Sequence, residues 1–328
     1  MAIGSGLGGQ LGIVAESTYG TFVAPTRFLE FTKESLVLKK TTAQSAGVAA
    51  GRLMALSDRR VLTQKEVSGS IEMEVTNTGM GLLLQALMGT TVTPAQQEST
   101  DAYLQVHNLA DNFGKFLTIQ KGVPLTTGVV TDKSFVGCKV AGAEFSCDVG
   151  GMLMSTWEID GKDCSEAQTL ATASYPARSP FHFGQMAIKA GAFESEVALD
   201  GIRKVSVKFE RPMATDRFYA GQSGLKKEPI SNDLVKVTGS IEMDYVGTTL
   251  DDLHTSDGET SLVWEFVGPQ IETTYNETFR IVLPAIKVDD APPTIDGFEV
   301  IKPTINFTAL YDGTNPVSIE YLSTDTAA

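Results

Sequence analysis

The sequence VSGSIEME, residues Val67 to Glu74, returns almost unchanged as VTGSIEMD, residues Val237 to Asp244, at an offset of 170 residues. Hydrophobic and acidic side chains alternate in both stretches, which is the pattern of a β-strand with one buried and one solvated face. The predicted core residues are Ile71, Met73, Ile241 and Met243, and the predicted acidic faces hold Glu72, Glu74, Glu242 and Asp244. The repeat predicts two copies of one domain, each built on an antiparallel sheet.

Weaker matches in the same order extend the duplication along the chain. Gly9, Gln10 and Ile13 match Gly184, Gln185 and Ile188; Ala50 and Gly51 match Ala220 and Gly221; Gly137 and Val140 match Gly297 and Val300; and the segment from Ser155 matches the segment from Val317. The predicted organisation is a first domain with an N-terminal arm over residues 1–160, a linker over residues 161–183 and a second domain over residues 184–328.

One helix is predicted behind the repeated strand in each copy. In the first copy Thr78 is expected to cap the helix, Leu82 to Met88 to form it and Gly89 to end it. In the second copy Thr248, Leu250, Leu253 and His254 suggest a shorter and more polar helix. The predicted fold class is therefore mainly β, with two tandem β-sandwiches that each carry a flanking α-helix. Long connections, residues 41–66 and 212–236, precede the repeated strands and are expected to contact a neighbouring molecule.

The composition excludes several classes of protein. A net charge of −14 with no basic run argues against binding nucleic acid through phosphate neutralisation. The longest apolar stretch, Met80 to Met88, is too short to span a bilayer, and the start of the chain has no signal-peptide pattern, so a soluble protein folded in a cytoplasm is expected. The three cysteines, Cys138, Cys147 and Cys164, are an odd number confined to the first copy, which argues against a disulfide framework.

The sequence contains no recognisable catalytic constellation. The histidines His107, His182 and His254 lack the spacing of zinc ligands, and neither a nucleophile elbow nor a calcium loop is present. His182, between Phe181 and Phe183, is interpreted as a packed linker residue. The prediction is a protein that is not an enzyme and that uses no cofactor and no metal.

The opening segment GQLGIVAESTYGTFVAPTRFLEFTKESL, residues Gly9 to Leu36, resembles the tail tube (major tail) proteins of long-tailed bacteriophages. The Gly-Ser-Ile-Glu strand, the helix behind it and the long loop resemble the same family, and the internal repeat extends the likeness to the second copy. The resemblance implies two tandem copies of a tail-tube-like β-sandwich or barrel. In single-domain members of this family six subunits form a ring, the rings stack, and the inner sheets join into a barrel around a channel for DNA.

With two copies in one chain, three chains would close a ring of approximate sixfold symmetry. The resemblance further implies a structural subunit of the virion tail that is assembled in the bacterial host cytoplasm. Its expected partners are other copies of itself in stacked trimeric rings, the tape measure protein and the proteins at the tail ends. DNA is expected to pass through without specific binding, and no membrane is involved.

The acidic faces acquire a role in such a tube. Glu72, Glu74, Glu242 and Asp244 are the candidate lumen-lining residues, since an acidic lumen repels phosphate and leaves DNA no site at which to bind. The same alternation places further charges on polar faces: Glu144, Asp148, Glu158, Asp160 and Glu320, with Lys39, Lys204 and Lys208 as partial counter-charges. Alternation alone does not distinguish the lumen from the exterior of a tube.

A duplicated carbohydrate-binding or adhesion module is the alternative function. Such sites display exposed aromatic side chains, and the two tryptophans, Trp157 and Trp264, both lie in strand-like patterns.

Overall fold

A computed structural model describes residues 3–247, 249–272, 274–290, 293, 295 and 297–328, without the side chain of residue 249. Up to residue 161 the strands are β1 (Gln10–Ala15), β2 (Arg27–Leu29), β3 (Lys33–Glu34), β4 (Val37–Gln44), β5 (Arg60–Glu74), β6 (Ala95–Gln96), β7 (Tyr103–Asn108), β8 (Leu117–Pro124), β9 (Val130–Asp148) and β10 (Met154–Gly161). The later strands are β11 (Asp163–Ser165), β12 (Met186–Gly191), β13 (Val197–Ala198), β14 (Ile202–Glu210), β15 (Met213–Ala214), β16 (Ile230–Ser231), β17 (Lys236–Met243), β18 (Glu259–Glu272), β19 (Tyr275–Asp290), β20 (Thr304–Leu310) and β21 (Ser318–Ser323). The helices are α1 (Gly81–Met88) and α2 (Thr249–Ser256), so the predicted mainly β fold with flanking helices is confirmed.

Eight antiparallel strands form one sheet that passes through both halves of the chain, residues 1–160 and 184–328. Their spatial order is β4, β5, β10, β9, β14, β17, β20 and β19, and we call this the central sheet. Each half supplies four neighbouring strands in the same relative order. The pairing of β9 with β14, which we call the junction, joins the two sets through backbone hydrogen bonds.

Two flanking sheets complete the fold. One contains β2, β1, β8, β9 and β11, and the other contains β13, β12, β18, β19, β21, β7 and β6. The long strands β9 and β19 belong to a flanking sheet with their first part and to the central sheet with their last part. Since β7 comes from the first half and β21 from the second, the halves also pair in a flanking sheet.

The central sheet carries a β-bulge at the same place in each half. Val140 lies opposite Ile159, and the register then shifts past Ala141. Val288 lies opposite Phe307, and the register then shifts past Asp289. A bulge inserts one extra residue into one strand, so the two bulges mark corresponding positions, with Val140 matching Val288. Gly69 lies opposite Ile159, and Gly239 lies opposite Phe307. The two glycines, which are 170 residues apart, therefore occupy corresponding positions in the two halves.

Strand pairing corrects three of the weaker sequence matches. The match of Val140 with Val300 is wrong, because Val140 is fully buried in β9 whereas Val300 lies between β19 and β20 and is 66% exposed. The segment from Ser155 lies in β10, whose counterpart is β20, whereas Val317 immediately precedes β21. Strand β1 pairs with β8, and β12 pairs with β18 in the same way. When β8 and β18 are aligned through their pairing with β9 and β19, Leu11 rather than Ile13 takes the position of Ile188.

A continuous hydrophobic core joins the halves. Ile71, Met73, Ile241 and Met243 are all buried in it. At the junction the ring of Phe145 in β9 lies 5.5 Å from that of Phe279 in β19 and 5.6 Å from that of Trp157 in β10. The segment 161–183 takes part as well, because β11 pairs with β9 and Phe181 is buried against Phe266 and Phe279.

The helices differ in detail from the sequence prediction. Helix α1 begins after Met80 and has no side-chain cap, and the Thr78 hydroxyl has no hydrogen-bond partner among the described residues. Gly89 ends it in the left-handed conformation, as predicted, with a φ of 90°. Helix α2 has the same length of eight residues rather than being shorter, and it is the more polar of the two. Thr248 lies outside the described residues.

The segments expected to be loop or linker contain more regular structure than predicted. Strands β4 and β5 extend into the connection 41–66 and leave a loop of residues 45–59, and the connection 212–236 holds the β15 and β16 pair. His182 is exposed rather than packed, and its ring accepts a hydrogen bond from the Gly184 amide at 3.1 Å. In the N-terminal arm, the Ser5 amide donates to the carbonyl of Pro124.

We predict that His107 makes the fold sensitive to mild acid. It is fully buried in β7 beside Gln105, and burial lowers the pKa of its imidazole from 6.5 to about 4. The unfolded chain therefore binds a proton between these two values that the folded chain does not, so stability falls as the pH falls from 6.5 towards 4. At pH 5 the loss is about 2 kcal/mol relative to pH 7.5.

Urea unfolding of the wild type and of His107→Gln at both pH values measures this effect. The variant should lose about 2 kcal/mol less than the wild type between pH 7.5 and pH 5. Identical losses in the two proteins would contradict a neutral buried imidazole.

Candidate functional site

The polar face of the central sheet carries the predicted acidic side chains. Glu72, Glu74 and Glu242 are partly exposed and alternate with the buried core residues of β5 and β17. Asp244 lies just beyond the end of β17 and forms an ion pair with Arg203 at 3.5 Å. The alternation follows from the geometry of a strand, in which successive side chains point to opposite faces.

Acidic groups outnumber basic groups on this face. Outside the cluster covered by the connection after β14, the described strands β3, β5, β9, β10, β14 and β17 contribute seven carboxylates and four amines to it, an excess of three negative charges: Glu72, Glu74, Glu144, Asp148, Glu158, Glu210 and Glu242, with Lys33, Lys204, Lys208 and Lys236. Three ion pairs lie within the set, namely Lys33 with Glu72 at 2.7 Å, Lys204 with Asp148 at 3.1 Å and Lys208 with Glu210 at 2.5 Å. Within the described residues, Glu74, Glu144, Glu158 and Glu242 form no ion pair, so the face keeps a negative field.

A pair of serines occurs at corresponding places in the two halves. The hydroxyls of Ser35 and Ser70 lie 3.1 Å apart, and those of Ser206 and Ser240 lie 2.9 Å apart. The second pair joins β14 to β17, and the first joins β5 to the short link between β3 and β4. The second half therefore repeats side-chain contacts of the first as well as its strand order.

The junction aligns opposite charges. Lys204 of β14 lies directly opposite Asp148 of β9, and Lys208 lies opposite Glu144. Like charges directly opposite would destabilise the pairing, so this alternation favours the observed register.

The connection after β14 lies over the first half and buries charged groups there. The Lys139 amine of β9 donates to the Glu228 carboxylate at 2.7 Å, and the Lys226 amine donates to the Asp160 carboxylate at 2.5 Å. Both lysine side chains have no exposed area. Asp160, predicted to lie on a solvated face, is therefore covered, since its carboxylate is only 13% exposed. Glu320 lies in a flanking sheet and pairs with Arg280 at 2.9 Å.

Burial shifts the pKa values of this cluster. Desolvation lowers the pKa of Lys139, although Glu228 opposes that shift, and desolvation raises the pKa of Asp160 against the effect of Lys226. Each group is penalised for its charge by burial and compensated by its partner. Loss of either member of a pair would therefore leave the other charge buried without compensation and would destabilise the protein.

Arg211 forms a further contact across the junction. Its amide donates to the carbonyl of Ala141 at the bulge, and its guanidinium donates to the carbonyls of Leu87 at 2.6 Å and Ala110 at 2.5 Å. Leu87 lies in the last turn of α1, where helix carbonyls lack intrahelical donors and favour a cation. Desolvation lowers the pKa of Arg211 to about 10, so the group stays charged near neutral pH.

The opposite edge of the central sheet presents an exposed counterpart to the junction. Among the described residues, β4 pairs only with β5, whereas its counterpart β14 pairs on both sides. The loop 45–59 beyond β4 exposes Val48, Leu53 and Met54, each more than 80% accessible. Fully exposed large apolar side chains grouped on one loop are typical of a surface that contacts another molecule.

The described residues include no cluster of potential metal ligands and no exposed tryptophan. No group of three or more potential metal ligands lies together among them, and no described helix is long and apolar enough to cross a bilayer. Cys138 and Cys147 are buried, and desolvation raises the pKa of both thiols. Trp157 and Trp264 are also buried, so neither presents a ring to a sugar.

Comparison with known proteins identifies one family. The family model described as phage tail tube protein matches residues 6–309, nearly the whole chain. No curated protein matches the sequence.

We predict that Glu228→Gln destabilises the subunit by about 3 kcal/mol, because it leaves the Lys139 amine buried without its charged partner. Glu166→Gln is the matched control, since its pair with Lys133 at 3.2 Å is exposed on both sides and should contribute less than about 1 kcal/mol. Urea unfolding at pH 7.5 measures both changes. Equal and small losses in the two variants would contradict a structural role for the buried pair.

Proposed function

Because this chain belongs to the phage tail tube protein family and is a structural subunit of a virion tail, we propose that three copies of it close each ring of the tube. The family implies self-assembly into a tube. In the proposed ring each chain occupies one third of the circumference, and its two halves occupy one sixth each.

The unbroken passage of the central sheet from one half to the other carries this proposal. Strands β4, β5, β10 and β9 are followed directly by β14, β17, β20 and β19, so one chain already contains two neighbouring four-stranded units. The matching bulges and serine pairs support a duplication with domains at residues 1–160 and 184–328 and a linker at 161–183. Among the described residues, the central sheet ends at β4 on one side and at the end of β19 on the other, beyond the pairing of Ile286 and Lys287 with β18. Pairing between chains at these ends would remove both edges.

We assign the polar face of the central sheet to the lumen. Glu72, Glu74, Glu242 and Asp244 would then line the channel together with the other carboxylates of that face. An excess of negative charge repels the phosphates of DNA, and three of the four lysines on this face are already paired with carboxylates, so the genome passes without specific binding.

The remaining elements of the proposal follow from a tail tube role. The tape measure protein would fill the lumen before the genome, and terminal proteins would cap the two ends of the tube. Assembly would take place in the cytoplasm of the bacterial host. A glycan-binding role has less support, because both tryptophans lie in the core.

Electron microscopy of assembled tubes tests the ring. We expect six similar density lobes per ring at low resolution and threefold symmetry once side chains are resolved, since the segment 90–116 between α1 and β8 has no counterpart between α2 and β18. Rings built from six chains would overturn the proposed stoichiometry. Monodisperse particles that never form tubes would overturn the structural role.

Charge reversal tests the lumen. A variant with Glu72, Glu74, Glu242 and Asp244 changed to lysine should stay folded, form tubes that take up short duplex DNA at low salt, and protect it from nuclease. The uptake should fall steeply as salt rises. A control variant with four exposed acids outside the central sheet changed to lysine, namely Glu98, Asp101, Glu166 and Glu194, has the same net charge. DNA bound by this control variant should lie outside the tube and remain open to nuclease. Equal protection of DNA by both variants would contradict the assignment of the acidic face to the lumen.

A further inference from the structure

The junction within the chain provides a template for the contact between chains. Resting on the three-chain ring, we propose that the loop 45–59 of one chain packs on the second half of its neighbour and places Asp58 against Lys287. This pair would be the interchain counterpart of Glu228 and Lys139.

The first step is the correspondence of the two lysines. Lys139 lies opposite Asp160 and two residues before the bulge at Ala141. Lys287 lies opposite Thr308 and two residues before the bulge at Asp289. The amine of each lysine is therefore at the same place on the polar face of its own half.

The second step is the correspondence of the two carboxylates. Gly69 and Gly239 align the strands that follow the two connections, and Glu228 precedes Gly239 by the same number of residues as Asp58 precedes Gly69. Strand pairing aligns Lys40 of the first half with Arg211 of the second. The segment from Lys40 to Gly69 is only one residue longer than the segment from Arg211 to Gly239. Asp58 is the only carboxylate between residues 41 and 65, so the correspondence has no competitor.

The third step is the present state of the two groups. Lys139 is fully buried between the connection 212–235 and the residues Asn112 and Phe113, whereas Lys287 has no such cover and is 37% exposed. Lys287 pairs at 3.0 Å with Asp257, whose side chain is 85% exposed. Asp58 is exposed and forms no ion pair with any described residue. An exposed ion pair contributes little to stability. Lys287 can therefore exchange Asp257 for Asp58 of a neighbouring chain at little cost in free energy.

Neighbouring groups fit the same arrangement. Lys40 of β4 stands at the position of Arg211, so a basic side chain would again reach towards a helix C-terminus, here that of α2. Docking of the loop would also cover Val48, Leu53 and Met54, which are now exposed to water. Charge, strand register and apolar surface therefore point to the same partner, a second copy of this chain.

Charge exchange tests the pair in the full-length protein. Lys287→Glu and Asp58→Lys should each lower the fraction of protein that sediments as tubes by about tenfold, because each places like charges together. The double variant Asp58→Lys, Lys287→Glu should recover most of the loss. Lys133→Glu is the control, since Lys133 is similarly exposed, at 43%, and also loses an ion pair on reversal, but it lies in a flanking sheet.

Cross-linking gives an independent measurement. Asp58→Cys, Lys287→Cys in a Cys164→Ser background should form disulfides on mild oxidation of tubes, and denaturing gels should show a ladder that stops at three chains. Wild-type tubes with three chains per ring, together with normal assembly of both single charge variants and no cross-link, would overturn the pair while leaving the ring intact. Failure of the wild type to form three-chain rings would instead overturn the proposed function.

Discussion

Backbone pairing along β9 is the interaction on which the rest of the structure depends. Its first part pairs with β8 and β11, and its last part pairs with β10 on one side and with β14 on the other. An unpaired strand edge is a template for uncontrolled association, and this arrangement leaves no long free edge on β9. It also makes the two halves inseparable, since removal of the second half would expose both the edge of β9 and the ring of Phe145.

The buried ions beside the junction have a different role from the core. Replacing a buried ion pair by apolar side chains is often neutral or stabilising, so Lys139 with Glu228 and Lys226 with Asp160 are poor candidates for a large gain in stability. What they provide is discrimination, because a shifted placement of the connection 212–235 that still covered this surface would bury two amines and two carboxylates without their partners. Arg211 has the same effect at the end of α1. Together these contacts fix how a strand unit meets the next one.

The regular features of the fold could be predicted from the sequence, and the irregular ones could not. The alternation of apolar and acidic residues identified the core and polar faces around Ile71 and Ile241, because successive side chains of a strand point to opposite faces of the sheet. The bulges at Ala141 and Asp289 carry no sequence signature. The match of Val140 with Val300 failed because the connection from β9 to β10 spans residues 149–153, whereas the connection from β19 to β20 spans residues 291–303 and changes the offset between the halves. The buried cluster was missed because its partners are far apart in sequence. The signal available was Lys139 itself, a single lysine between Cys138 and Val140 in an apolar run.

The covalent linkage of the two halves in one chain also has a kinetic consequence. Linking two binding units on one chain raises their effective concentration to the millimolar range, far above that of a dilute protein in solution. In the proposed ring, three of the six contacts between strand units would therefore form during folding, before two molecules meet. Nucleation of the first ring would require an encounter of three particles instead of six, so its rate would fall much less steeply on dilution. The duplicated chain would start a tube at concentrations where single-unit subunits would remain dispersed.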